Sequence, residues 1–405
     1  MRNAIILPLD SVATFKSGGT PRKSNTEYWA GNLPWVSAKD LKSPIIIDSI
    51  NHLSSAGFAV ASVAPSGSLL VLVRGMTLHK DVPVCLAERD VAFNQDIKAL
   101  ILSEKVFPKY LLYFLRANKN RLLGLVDSAG HGTGRLNTDS LRSFPVLVPP
   151  LPEQTAIANL LSTWDTAIEK TEKLIAAKQE QRKGLMQQLL SGKKQFPGFT
   201  KPWQEVRLSN VFKRVTRKNS ADVTHVLTAS GEHGLIDQKD YFNRSVSGRS
   251  LKGYYHLRHG EFAYNRSAMK GYPYGAIKRL DFYTEGVLST LYLCFKLSSR
   301  NQSSDFFMHY FEAGNLNRQL RRIAQVGARA HGLLNVTTGD FFNLKLKIPG
   351  LDEQKRIACF LNNFDREISL LQKKLNAYGE QKRGLMQKLL TGEWLTKPLE
   401  FGNEQ

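Results

Sequence analysis

Few residues in this chain have the types and spacing that catalysis needs. Glu353-Gln354-Lys355 has the acid-x-lysine spacing of many metal-dependent nucleases. Its twin Glu153-Gln154-Thr155 lacks the lysine, and no convincing acid precedes either on a neighbouring strand, so both read as helix starts. Gly130-His131-Gly132-Thr133-Gly134 is glycine-rich, yet no buried strand runs directly into it and no long helix directly follows. It reads as a mobile loop and not a nucleotide cradle. No phosphate-binding G-x-x-x-x-G-K-[ST] motif occurs. The Asn/Asp-Pro-Pro-aromatic motif of a DNA methyltransferase is missing too. The histidines form no pair four residues apart. Cys85, Cys294 and Cys359 have no metal-ligand spacing and read as reduced, buried thiols. The sequence therefore predicts no catalytic residue, no metal and no cofactor bound by the chain.

The chemistry it does suggest is the binding of a polyanion. The formal net charge is +21 over 405 residues. Residues 1–150 hold an excess of +6 and residues 201–350 an excess of +12, whereas 151–200 and 351–405 hold +2 and +1. A basic surface concentrated in two segments suits nucleic acid. The candidate contacts lie in glycine-containing, basic loops. In the first segment they are Lys16, Thr20 and Arg22, then Arg74, His79 and Lys80, then His131 and Arg135. In the second they are Arg217, Lys218, Arg244, Arg249, Lys252, Arg266, Lys270, Tyr272, Tyr274, Arg329 and His331. Arginine can grip a guanine edge with two hydrogen bonds, while lysine mainly grips phosphate. Tyrosine can pack on a sugar or base. Taken singly, each is as readily an ordinary surface charge.

What positions these loops is a duplication. Residues 151–192 recur without a gap as 351–392, with 19 of 42 positions identical. Steps of four and three from Ile157 give Leu161, Trp164, Ile168, Thr171, Ile175, Lys178, Arg182, Leu185 and Leu189. The second copy gives Ile357, Leu361, Phe364, Ile368, Leu371, Leu375, Tyr378, Lys382, Leu385 and Leu389. That period keeps one seam toward a partner helix. The polar seam residues Lys178 and Arg182 are expected either to fix register or to face another subunit. Pro152 fits a first helical position, and Gly192 and Gly392 fit helix ends. Each helix should be a rod of roughly 60 Å, at about 1.5 Å per residue. The two are expected to pair antiparallel about a pseudo-twofold axis.

The segments between are α+β in character. Short apolar runs such as 68–73 and 291–297 read as strands, and helix-like stretches occupy 108–118 and 306–325. A last strand, 144–149 or 344–349, leads into each repeat. His131-Gly132 matches His331-Gly332 at the same shift of 200, so the blocks look like diverged versions of one domain. The expected division is a first recognition domain (1–150), a first spacer helix (151–192) and a linker (193–206). A second recognition domain (207–350), a second spacer helix (351–392) and a tail (393–405) follow. No apolar run reaches the length of a membrane span. Met1–Asp10 is too short and too soon interrupted for a signal peptide, so a cytoplasmic protein is expected.

These residues resemble the specificity (S) subunits of type I restriction-modification systems. The resemblance rests on Pro149-Pro150-Leu151-Pro152-Glu153-Gln154 and Leu351-Asp352-Glu353-Gln354, and on the [Lys/Arg]-Gly-Leu-Met-Gln-x-Leu-Leu-[Ser/Thr]-Gly endings at 183–192 and 383–392. Phe196-Pro197-Gly198-Phe199-Thr200 leading to Trp203 adds to it, as do Ser17-Gly18-Gly19-Thr20-Pro21, Tyr28-Trp29 and Pro34-Trp35. It implies two target recognition domains, each reading half of a split, asymmetric site on double-stranded DNA. Two long antiparallel coiled-coil helices would set the gap and dock two methylation (M) subunits. Those subunits would carry S-adenosylmethionine chemistry on adenine, and restriction (R) subunits would bring ATP and Mg. The chain itself would be non-catalytic. Charge alone would also suit a DNA-bridging protein indifferent to sequence.

Overall fold

The computed structural model describes residues 4–128, 132–231, 234–242, 250–269, 271–326 and 334–394. The chain divides into two compact units, Met1–Glu172 with Lys373–Gln405, and Lys173–Gln372. The boundary differs from the domain-then-helix division expected from sequence. Each unit takes the beginning of the helix that follows its own block and the end of the other helix.

In the first unit the strands Ala13–Ser17, Ile97–Leu102, Leu69–Leu72 and Val84–Ala87 form an antiparallel sheet, with Ile45–Ile46 added in parallel at its edge. Leu69 to Leu72 are wholly buried, as a central strand covered on both faces requires. A second sheet runs in the order Asn51–Leu53, Leu33–Val36, Val91–Phe93, Val63–Ala64. The helix Pro108–Ala117 begins on a proline, tolerated where its N–H would be unpaired anyway, and buries Tyr110 to Leu115 in the core. The strand Ile5–Pro8 pairs antiparallel with Pro145–Val148 and so closes the block.

The second unit repeats this plan in different residues. Its main sheet runs Phe212–Arg214, Leu293–Leu297, Phe262–Asn265, Ala276–Arg279. Gln204–Arg207 pairs with Lys345–Ile348 as the closing ribbon. The expected single helix over 306–325 is two, Ser304–Glu312 and Asn317–Ile323. They are separated at Gly314, whose φ of +72° suits glycine. An aromatic core, with Phe212 and Phe307 centroids 4.9 Å apart and Phe262 stacked on Phe295 at 5.5 Å, replaces the aliphatic core of the first.

The long helices span Leu151–Leu189 and Leu351–Leu390. Pro152 lies one position further in than expected but still in the first turn, whose N–H groups have no intrahelical partner. Gly192 and Gly392 take positive φ, +71° and +84°, just past the ends. Gln154 is buried and works as a clasp: its Oε1 accepts from the Phe107 N–H at 2.8 Å, and its Nε2 donates to the Pro149 and Lys105 carbonyls at 2.7 and 3.0 Å. Gln354 repeats it, accepting from Ser303 N–H at 3.0 Å and donating to the Pro349 carbonyl at 2.9 Å. The Glu-Gln signature therefore locks each helix start to the loop ahead of its block's main helix.

Within each unit the two helix segments run antiparallel. In the first, Ile157 and Leu161 share a core with Leu389 and Leu390, and Trp164 meets Tyr378 edge-on at 5.4 Å. Lys382 pairs with Asp165, which also accepts from the Tyr113 hydroxyl at 2.6 Å. In the second, Ile357 and Leu361 share a core with Met186, Leu189 and Leu190. Lys178 reaches Glu367 at 2.9 Å, and Arg182 reaches Asp365 through Nη2 at 3.0 Å. Lys178 and Arg182 thus bind across the seam. These ion pairs are partly exposed and worth about 1 kcal/mol or less each, against roughly 2 kcal/mol for each buried leucine or isoleucine. Apolar burial holds the helices together and the charges choose their register. Ile175 is buried, while Ile168, Leu185, Phe364, Ile368, Leu371, Leu375, Tyr378 and Leu385 are half-buried.

Candidate nucleic-acid interface

Several of the first block's candidates gather at one end of its main sheet, through hydrogen bonds the sequence did not reveal. Ser17 ends its strand opposite Lys98, and Leu72 lies opposite Ile97. Three neighbouring strands therefore deliver Ser17, Lys98 and Val73-Arg74 to a common edge. The turn Asn94-Gln95-Asp96 lies between them. Thr20 donates to the Gln95 side chain at 2.7 Å. Arg74 donates through Nε to Asp96 at 2.7 Å, and the Val73 N–H donates to the Asp96 carbonyl at 2.8 Å. The Ser17-Gly18-Gly19-Thr20 loop lies flat on this turn, with Gly19 N–H donating to Phe93 at 2.9 Å. A Cβ on Gly18 would come within 1.9 Å of the Asn94 carbonyl oxygen, so only glycine permits the approach.

Arg135 stands opposite Arg74 where Gly134–Leu136 pairs antiparallel with Arg74–Gly75, and both are exposed. Two arginines side by side repel each other unless an anion lies between them. Asp96 fixes Arg74 from behind, which leaves the guanidinium pre-oriented for a bidentate partner. Arg22 and Lys80 are exposed as well. His79 donates through Nε2 to the Gly132 carbonyl at 2.6 Å. Lys16 is exposed but reaches away to the Val63 carbonyl at 2.9 Å. His131 lies outside the described residues. Val126–Ser128 pairs antiparallel with Gly134–Leu136, and residues 129–131 between them, part of the glycine-rich stretch read as a loop, lie outside the described residues.

The second block divides its candidates. Lys218 and Lys252 are exposed and come together, since Lys218 Nζ donates to the Gly253 carbonyl at 2.7 Å and sits 4.5 Å from the Tyr255 ring centroid. Arg217 instead donates to the buried Glu261 at 2.8 Å, which also accepts from the Arg258 N–H. Arg266 donates to the Leu291 and Val336 carbonyls at 2.8 and 3.3 Å, tying three segments together. Tyr272 binds the Gly231 carbonyl at 3.1 Å and Glu312, and accepts from Lys278 at 2.7 Å. Burial, and then Glu312, push its hydroxyl pKa well above the usual phenol range. The Tyr274 carbonyl accepts from Tyr264 at 2.8 Å, and its ring packs on the aromatic core. These four side chains are engaged inside the block, not offered from its surface. Arg244, Arg249, Lys270, Arg329 and His331 lie outside the described residues.

Sequence reasoning missed Asn94, Gln95, Asp96 and Lys98. Their only signal was a polar cluster before a strand, which ordinary surface loops share. Cys85 and Cys294 are buried, which pushes both thiols up to about 12, but Cys359 is exposed and not buried as expected. Among the described residues no cluster of His, Cys, Asp and Glu could hold a metal ion. No described helix is long and apolar enough to cross a membrane.

Two basic domains, each built on paired segments of duplicated helices, define a tandem recognition protein. The chain belongs to the type I restriction modification DNA specificity domain family, which matches residues 6–179 and again 200–377. It is similar to the EcoR124I/EcoR124II specificity subunit of Escherichia coli, 29% identical over 161 residues, or 39% of this chain and 40% of that one. It is also similar to the EcoprrI specificity subunit of Escherichia coli, 22% identical across 89% of this chain and 87% of that one. Among solved structures, a type I system S subunit from M. genitalium shares the fold. Its TM-score is 0.55 at 15% identity, over 96% of both chains.

Proposed function

We propose that the chain is the DNA-reading specificity subunit of a type I restriction-modification complex. Each block reads one half of a split, asymmetric site on double-stranded DNA. The helices set the interval between the halves and dock two methylation subunits, to which restriction subunits add. The reaction belongs to those partners, with S-adenosylmethionine on the methylation subunits and ATP and Mg on the restriction subunits; this chain binds no cofactor and catalyses nothing. A cytoplasmic location goes with that role.

The observation that carries this reading is a division of labour within one sequence. The helices repeat closely and are nearly neutral, whereas the blocks diverge and hold almost all the excess charge. Repeated surfaces suit two copies of one partner, and divergent basic surfaces suit two unlike stretches of DNA. The test is to sequence methylated bases in cells that have the methylation subunits with and without this chain. The proposal requires site-specific methylation only when the chain is present. Methylation of an unchanged site without it would refute the proposal. Lengthening both helices equally should alter the interval between half-sites, and an unaltered interval would remove the spacing role.

A further inference from the structure

Beside Arg74 stands a side chain that phosphate chemistry does not explain. Met76 opens the turn Met76–His79 and is 67% exposed. The turn is anchored: Leu78 is buried, and a Cβ on Gly134 would lie 2.8 Å from its Cβ. The Lys80 and Asp81 N–H groups both donate to the Thr77 carbonyl at 2.9 Å, and His79 is tied to Gly132. An apolar thioether is thus exposed on the segment that carries Arg74, His79 and Lys80, with Arg135 paired opposite Arg74. A single exposed methionine would mean little, but the second block carries a methionine, the half-buried Met269, in the corresponding position. There Arg266 follows the strand Phe262–Asn265 as Val73 follows Leu69–Leu72, and Met269 lies three residues beyond Arg266 as Met76 lies three beyond Val73. The correspondence is structural. Leu334 N–H donates to the Arg266 carbonyl at 2.7 Å, as Leu136 N–H donates to the Val73 carbonyl at 2.9 Å.

A duplex presents few apolar groups to a protein. The prominent one in the major groove is the thymine 5-methyl, on the same edge where arginine grips guanine. Resting on the DNA-reading function above, we infer that Met76 is a specificity-determining residue that contacts a thymine methyl next to the base pair Arg74 addresses. Methionine suits this task, because its unbranched thioether adapts to an irregular apolar contact.

The test uses the full chain assembled with its methylation subunits and the duplex that the wild-type assembly selects from a random pool. Each thymine is replaced singly by deoxyuridine, which removes only the methyl. One replacement in the half-site of the first block should weaken wild-type binding about fourfold, the factor expected for one buried methyl-sized group. Met76→Ala should bind more weakly and lose its response at that position alone, while Met76→Leu should keep it. If no thymine is methyl-sensitive in the wild type, or if Met76→Ala responds as the wild type does, the inference is overturned while DNA reading stands. Unstacking reported by 2-aminopurine without methyl sensitivity would overturn it in favour of a wedge. A wild-type assembly that selects no sequence would overturn the DNA-reading function itself.

Discussion

Arg74 and Arg266 look alike in sequence, each an arginine soon after an apolar strand, yet their environments set them to different work. Arg74 has a carboxylate behind it and solvent in front. Arg266 spends its donors on two backbone carbonyls. Arg266→Ala is therefore expected to destabilise the second unit by roughly 1–3 kcal/mol, because those carbonyls lose their partners. Arg74→Ala should leave thermal stability within about 0.5 kcal/mol, as exposed pairs are worth little. Denaturant unfolding of both variants checks this, and equal losses would erase the distinction. In DNA binding the order reverses. Arg74→Lys should relax discrimination at one base pair by about tenfold or more, since lysine cannot reproduce the bidentate grip. Lys80→Ala should weaken all sequences alike and lower the salt slope by about one. Residue type made the basic candidates visible from sequence. It did not reveal which were tied down, because the tying partners are backbone carbonyls and distant acids such as Glu261.

Periodicity made the helices and their seam legible at the scale of elements. The 3.5-residue repeat located Ile157, Leu161, Ile357 and Leu361, all wholly buried. It left open what Lys178 and Arg182 would face, since that depends on an alignment between residues nearly 200 positions apart. Exchanging the charges of Arg182 and Asp365 tests the register role. Each single variant should destabilise the second unit, and Arg182→Asp with Asp365→Arg should recover part of the loss in a double-mutant cycle. The junction of block and helix also differs between units, with Tyr113 on Asp165 in one and His309 beside Asn362 and Asp365 in the other. Burial, helped by Arg182, outweighs the hydrogen bond to Asn362 and the charges of Asp365 and Asp305, and holds the His309 pKa below its usual 6.5. The unfolded chain then binds the proton more readily, so the second unit should lose stability as pH falls below about 6.5, until the folded form protonates too. His309→Gln should flatten that slope in melting curves taken between pH 7 and 5; an unchanged slope would assign it to other groups.

For the whole molecule, the compact units cut across the order of the sequence. Lys373–Gln405 belongs with the first block, where Leu389 and Leu390 join the core of Ile157 and Leu161. Truncation after residue 372 should therefore expose the first unit and spare the second. Hydrogen exchange would show lost protection around Tyr110–Leu115 with protection of Phe306–Phe311 retained; the reverse pattern would contradict the assignment. Charge segregation and the gapless repeat indicated two basic blocks on shared helices before any coordinates. The sheet end that gathers Thr20, Gln95, Arg74 and Arg135 could not be read, because strand pairing across 80 residues leaves no local mark. Selection of duplexes from a random pool tests most directly whether the two blocks read DNA separately. The assembly would be compared as wild type, with Arg74→Ala and Arg135→Ala, and with Lys218→Ala and Lys252→Ala. The account requires each pair of substitutions to degrade one half of the selected site and leave the other intact. Loss spread evenly over both halves, or a selected site indifferent to both pairs, would contradict it.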